Sequence, residues 1–148
     1  MAVLATAPHY TLEQGPCARH VLLDGRTLRG GPGRFCIEQV LPVEFAEGAF
    51  VALRVAAPHR FEARVRSRVF VYRVEGERLV PRFLGSGFSA REVTGLVALE
   101  NALGVQTLTS AGVHETLSCT FDGFPLICAV PLARDDMPAP VAVDAGTP

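Results

Sequence analysis

Apolar residues in this chain come in short runs with a period of two, interrupted by glycine, proline and aspartate, which is the pattern of strands joined by tight turns. His20–Arg29 places Asp24-Gly25 between two short apolar groups and predicts a hairpin, because both turn residues tolerate positive φ. Arg34–Leu41, Ala49–Val55, Arg60–Val74 and Arg78–Leu84 read as further strands, with Glu75-Gly76-Glu77 as a turn and Pro81 marking an edge or a bulge. In the longest of these, alternation sets Phe61, Ala63, Val65, Val69 and Val71 on a packed face and Glu62, Arg64, Arg66 and Arg68 on a wet one. Val105–Thr109 is another strand, and Thr116–Phe121 with Phe124–Val130 flank Asp122-Gly123, a hairpin signature. A two-residue turn there sets Cys119 opposite Leu126 and leaves Cys128 diagonal to it.

Two segments break the pattern. Ser89-Ala90-Arg91-Glu92 has the form of a capping box, Val93, Leu96, Val97 and Leu103 share one helical stripe flanked by Leu99, and Gly104 stands where a C-cap belongs. This predicts an α-helix over 89–103. Gly30-Gly31-Pro32-Gly33 has too few side chains to pack and predicts a flexible loop; it has neither the Lys-Ser/Thr of a P-loop nor Gly-x-Gly-x-x-Gly spacing. The expected organisation is an irregular arm over 1–17, one domain over 18–131 and a mobile Asp-, Ala- and Pro-rich tail over 132–148, without internal repeats.

A chain of 148 residues, 49% of them hydrophobic, suits one globular core. A net charge of −1 argues against coating nucleic acid or an anionic membrane through bulk charge. All fourteen basic residues are arginine, a bias attributable to a GC-rich bacterial genome. It makes any basic cluster well suited to carboxylate or phosphate. No run of eighteen apolar residues occurs, and Met1–Pro8 lacks the basic and long apolar regions of an export signal, so a cytoplasmic chain without membrane insertion is expected. With no Cys-x-x-Cys pair and no export signal, Cys17, Cys36, Cys119 and Cys128 are expected to be reduced, buried thiols. Cys17 and His20 make half a zinc motif, but Cys36, His114, Cys119 and Cys128 supply no second tight pair, so no metal or other cofactor is expected.

No catalytic constellation emerges. Ser86 in Gly85-Ser86-Gly87 lacks a nucleophile-elbow frame, Asp135 and Asp136 are adjacent in the expected tail, and His114 beside Glu115 is a lone candidate base. The chain is therefore read as a non-enzyme. Its candidate ligand- or partner-binding residues are two arginine groups: Arg26, Arg29 and Arg34 around the glycine loop, and Arg64, Arg66 and Arg68 at steps of about 7 Å along a strand. The plainer reading of the second group is a solvated outer face.

The order of elements resembles a PilZ domain over roughly residues 18–103. Phe35 to Leu53 is similar to that family's succession of apolar strand, Leu-Pro linker with glycine (Leu41, Pro42, Gly48) and Val-x-Leu strand; Arg60–Val74, Leu79–Leu84 and the segment after Ser89 resemble its later strands and closing helix. The resemblance implies a small antiparallel β-barrel closed by the 89–103 helix, with the 116–130 hairpin as an addition. Members that bind cyclic di-GMP carry Arg-x-x-x-Arg near the start and Asp/Asn-x-Ser-x-x-Gly before the strand matched here by Phe35. In this chain the first eighteen residues hold no arginine, and Arg26-Thr27-Leu28-Arg29 precedes the glycine loop. The similarity is thus to non-binding members, which implies a regulatory or adaptor module acting through protein contacts, with the 116–130 hairpin as a surface for a second copy. The alternatives are a small-ligand or nucleotide-binding barrel using the arginine ladder, and a small hydrolase or metal protein.

Overall fold

Every strand pairing in the computed structural model is antiparallel, and the pairings form three sheets; the structure describes residues 8–58, 67–88 and 90–130, and the backbone of 140–141 and 143–144. A small N-terminal sheet holds β1 (Tyr10–Leu12), β2 (Val21–Leu23) and β3 (Arg26–Thr27). Asp24 and Gly25, at φ 49° and 83°, make its predicted two-residue turn. A central sheet orders β4 (Cys36–Phe45), β5 (Gly48–Ala56), β6 (Arg68–Glu75) and β7 (Arg78–Leu84) in sequence. The third sheet contains β8 (Gly87–Phe88), β9 (Arg91–Leu99), β10 (Ala102–Thr109), β11 (His114–Phe121), β12 (Leu126–Ala129), β13 (Pro140–Val141) and β14 (Val143–Asp144). Its two edges, β12 and β8, pair with β13 and β14, which lie one residue apart in the chain, so the sheet curls into a half-barrel.

The central sheet is buried on both faces. Ala52, Val69, Val71 and Phe83 pack against Val93, Leu96, Leu103, Val105 and Leu117 of the curled sheet, while Val51, Leu53, Val55, Phe70 and Tyr72 pack under Ala18, Val21 and Leu28. The face of β6 expected to be wet is therefore covered beyond Arg68, because the N-terminal strands lie over Phe70 and Tyr72. Phe61, Ala63, Val65, Arg64 and Arg66 lie outside the described residues. Near-continuous apolar runs such as Phe50–Leu53 and Val69–Tyr72 are what a doubly covered strand requires. Tyr72 is 1% exposed, and this burial pushes its phenol above the usual range, keeping it neutral. Pro81 is on the edge strand β7, next to the register shift opposite Val71 and Tyr72, as its chemistry predicts.

The predicted helix at 89–103 is instead a hairpin. Arg91–Leu99 pairs with Ala102–Thr109, and the turn passes through Asn101 at φ 54°. The helical spacing of Val93 and Leu96 has a different origin: the register shift between Gln106 and Thr107 leaves Thr94 as an extra residue on β9. A bulge turns a period of two into a local step of three, so Val93 and Leu96 both face the core. Gly104, expected as a cap, sits across from Val97, where an added Cβ would collide with the valine side chain. Ser89 lies outside the described residues, and Glu92 is a strand residue paired with Leu108. The Leu41–Gly48 linker expected from the PilZ resemblance is likewise strand, with Pro42 paired to Val51 and only the Ala46-Glu47 step left as a turn.

The cysteines are not free thiols: Cys17 is bonded to Cys36 and Cys119 to Cys128. The second bond follows from loop length. Residues 122–125 make a four-residue turn rather than a two-residue one, so Phe121 pairs with Leu126 and Cys119 comes directly opposite Cys128. The first bond follows from an isolated bridge between Ala18 and Ile37, which brings the neighbouring cysteines together. Order also begins earlier than expected, at Tyr10, and within the expected tail 140–141 pairs with β12 and 143–144 with β8. The glycine loop is docked rather than flexible: a Cβ on Gly30, at φ +81°, would lie 2.9 Å from the Leu79 carbonyl oxygen, and the Arg29 N–H donates to Glu77 O at 2.7 Å.

Two side chains close the seams between the central and curled sheets. A register shift at Glu38 aims Gln39 at β9, where its amide nitrogen donates to Leu96 O at 2.8 Å and its oxygen accepts from Leu96 N at 2.9 Å. On the other side Arg82 donates to the carboxylate of Glu47 at 2.8 Å and to the carbonyls of Gly123 and Phe124, and stands 3.8 Å from the Phe121 ring centroid.

Gln39→Ala strips two part-buried main-chain groups of their partners and is expected to cost about 1–3 kcal/mol in urea unfolding. Gln39→Glu keeps the acceptor but faces a carboxylate to the Leu96 carbonyl, and should be no more stable than the alanine variant. Denatured, unreduced protein should titrate as having no free thiol. Replacing either cysteine pair by alanine is expected to cost about 3 kcal/mol from loop closure alone, slightly more for Cys17–Cys36 (separation 19) than for Cys119–Cys128 (separation 9).

Candidate functional site

Four arginines of the described residues are held close to glutamates. Arg54 pairs with Glu38 at 3.0 Å, Arg73 with Glu75 at 2.7 Å, Arg82 with Glu47 at 2.8 Å and Arg91 with Glu115 at 2.9 Å. Of the first predicted group, exposed Arg26 reaches Glu77 at 3.9 Å, and Arg29 joins β7 through its backbone beside Arg78. Arg34 does not join them. It stands with Arg68 of the second group on a single aromatic ring: their guanidinium carbons lie 5.7 Å and 4.9 Å from the centroid of Phe35. One residue from each predicted cluster thus forms a site that neither cluster describes, and Arg64 and Arg66 lie outside the described residues.

The site is built on fixed parts. Phe35 packs edge-on against Phe70 in the core beneath the N-terminal sheet, with centroids 5.4 Å apart. The Cys17–Cys36 bond anchors the next residue, and the Phe35 N–H donates to Pro32 O at 3.3 Å. Arg68 opens β6 where it pairs with Val55, and Cys36 opens β4 opposite Ala56, so the platform sits at one end of the central ladder. Among the described residues no carboxylate pairs with Arg34 or Arg68. Each ring contact stabilises a cation by about 0.5–1 kcal/mol when exposed, and it leaves most guanidinium donors free. Two planar forks on a rigid ring can grip a carboxylate or a phosphate. Phe35 was the residue missed by sequence reasoning; its only signal was its place between Arg34 and Cys36.

Other places fit chemistry less well. A polar cavity of about 320 Å³ is lined by Thr94, Gln106, His114, Glu115 and Thr116, but the Glu115 carboxylate is held by Arg91 and the buried Thr107 hydroxyl donates to Glu115 O at 3.1 Å. This network links β9, β10 and β11, and His114 stays an exposed residue at the start of β11. Asp135 and Asp136 lie outside the described residues, and Ser86 follows Gly85, whose N–H donates to Val69 O at 3.0 Å. A cavity of about 530 Å³ between Tyr10, Pro42, Phe50, Val74 and Leu99 is mostly apolar, with Glu44 on its wall. The disulfides leave the four cysteines no thiolate to offer a metal, and among the described residues no group of three His, Cys, Asp or Glu side chains could hold one. No helix of the described residues is long and apolar enough to cross a membrane. Compared with known proteins, the chain matches no family model, no curated protein and no solved structure.

Proposed function

We propose that this chain is a non-enzymatic adaptor domain whose recognition surface is the Arg34–Phe35–Arg68 face, and that it binds a carboxylate or phosphate group presented by a protein partner. The observation that carries this reading is the pair of guanidinium groups held on one fixed ring without a carboxylate partner among the described residues. Arg54, Arg73, Arg82 and Arg91 each hold a nearby glutamate; what sets Arg34 and Arg68 apart is that both stand on one ring of a disulfide-anchored platform. Cytoplasmic placement sits poorly with two disulfides, and we favour an oxidising compartment. An adaptor role agrees with the PilZ resemblance where that family lacks its nucleotide motifs, although the closing helix and the Leu-Pro linker on which the resemblance leaned are strands here. A cyclic dinucleotide is the less favoured ligand, because Arg26 and Arg29 stand apart from the face.

Calorimetry with a hexaglutamate peptide and with inorganic pyrophosphate tests the reading. At least one should bind, more weakly as salt rises, and Arg34→Gln/Arg68→Gln should weaken it by at least about tenfold. Arg26→Gln/Arg29→Gln should leave it unchanged. Binding that survives the first double variant, or no heat from either probe, overturns the assignment.

A further inference from the structure

The hairpin between β11 and β12 carries a residue the fold does not use. Phe124 is 88% exposed, the most exposed large hydrophobic side chain of the described residues. Its loop is nonetheless rigidly held. The Asp122 N–H donates to Pro125 O at 3.1 Å, Arg82 donates to the carbonyls of Gly123 and Phe124, and the Cys119–Cys128 bond ties the strands two rungs below. Arg82 is itself fixed by Glu47 and by the Phe121 ring. Such bracing lowers the ordering cost of binding, and an aromatic side chain presented from a rigid loop is a typical interface anchor.

The charge of this tip narrows what it can meet. Asp122 has no ion-pair partner among the described residues, and Arg82, the cation beside the loop, is only 16% exposed and engaged with Glu47. An acidic, aromatic tip is repelled by an anionic membrane and fits a protein surface that offers an aromatic or apolar wall beside unpaired cations. The same chain carries such a surface, the Arg34–Phe35–Arg68 face. The two lie at opposite ends of the central ladder. The face adjoins the Cys36–Ala56 rung, while the tip is tied through Arg82 to Glu47, in the turn beyond the Phe45–Gly48 rung. Phe35 packs with the cluster beneath the N-terminal strands and Phe121, at the base of the tip, with the cluster beneath the curled sheet, so the central sheet stands between the tip and the face of its own chain.

We propose that the chain associates head to tail with a second copy of itself, the Asp122–Phe124 tip of one copy docking on the Arg34–Phe35–Arg68 face of the next. The Asp122 carboxylate accepts from the guanidinium groups, and the Phe124 ring packs beside Phe35. The contact joins two different patches, so it is heterologous, and each copy retains one free tip and one free face. The proposal rests on the reading of the face as an anion-recognition surface and names the group that it recognises.

Sedimentation velocity over about 10 µM to 1 mM tests it. The wild-type weight-average sedimentation coefficient should rise with concentration past the value for a dimer, and should fall back in roughly 0.5 M salt, where the screening length is only about 4 Å. Asp122→Asn/Phe124→Ala and Arg34→Gln/Arg68→Gln should each weaken self-association by at least about tenfold. Mixed in equal amounts, the two variants should form a one-to-one complex that does not grow, because one supplies an intact face and the other an intact tip. A wild-type chain that stays monomeric, a variant that still assembles, or a mixture that fails to pair overturns the proposal. The tip variant keeps its face, so hexaglutamate binding to it separates the two ideas: binding without wild-type self-association sinks the head-to-tail contact alone, and absence of both sinks the recognition face as well.

Discussion

Burial of both faces of the central sheet is the constraint on which the rest of this structure depends. Once Val51, Leu53 and Val55 point one way and Phe50 and Ala52 the other, all apolar, β5 has no side to give to water and needs a cover on each face. The covers are unequal. The curled sheet is long enough to wrap, whereas β1, β2 and β3 are three, three and two residues long, too little for a sheet to persist alone. The Cys17–Cys36 bond and the Ala18–Ile37 bridge compensate by tying that cover to β4. On the other side the curled sheet meets β4 and β7 at seams, where strand edges would otherwise expose unpaired backbone. Gln39 bonds main chain of β9 at one, and Arg82 bonds main chain of the turn between β11 and β12 at the other.

The strands were legible where the chain obeys local rules. Asp24-Gly25 and Glu75-Gly76-Glu77 both mark turns, and Gly76 adopts φ 62°. Two of the failures share a cause: a residue or two gained in a ladder or its turn changes which side chains meet. The extra Thr94 made Val93 and Leu96 look helical, and two more loop residues than expected between Phe121 and Leu126 turned two diagonal cysteines into directly facing partners. Neither bulges nor turn lengths have a strong residue signature, so the hydrophobic pattern alone could not reveal them.

The candidate site was half legible for a related reason. Arginine clustering flagged Arg34 and Arg68, yet assigned them to different groups, since only the β4–β5 and β5–β6 pairings bring them to one ring. Gln39 and Arg82 left no signal, because their partners lie 57 and about 40 residues away in the chain. Phe124 was visible as a turn-flanking aromatic, but its exposure depends on the same loop length that escaped the pattern.

How the polar groups are spent bears on function. The buried Thr107 hydroxyl is engaged by Arg91 and by Glu115 O; Gln39 and Arg82 are engaged across the seams, and Glu38 holds both Arg54 and Ser67. Each of these groups bonds across strands or sheets and so helps to close the fold. The proposed recognition surfaces use other groups: Arg34 and Arg68 on the Phe35 ring, and Asp122 beside the exposed Phe124. In the head-to-tail contact proposed above these are the two surfaces that would meet, and a disulfide ties each of them to the core, Cys17–Cys36 beside Phe35 and Cys119–Cys128 below the tip.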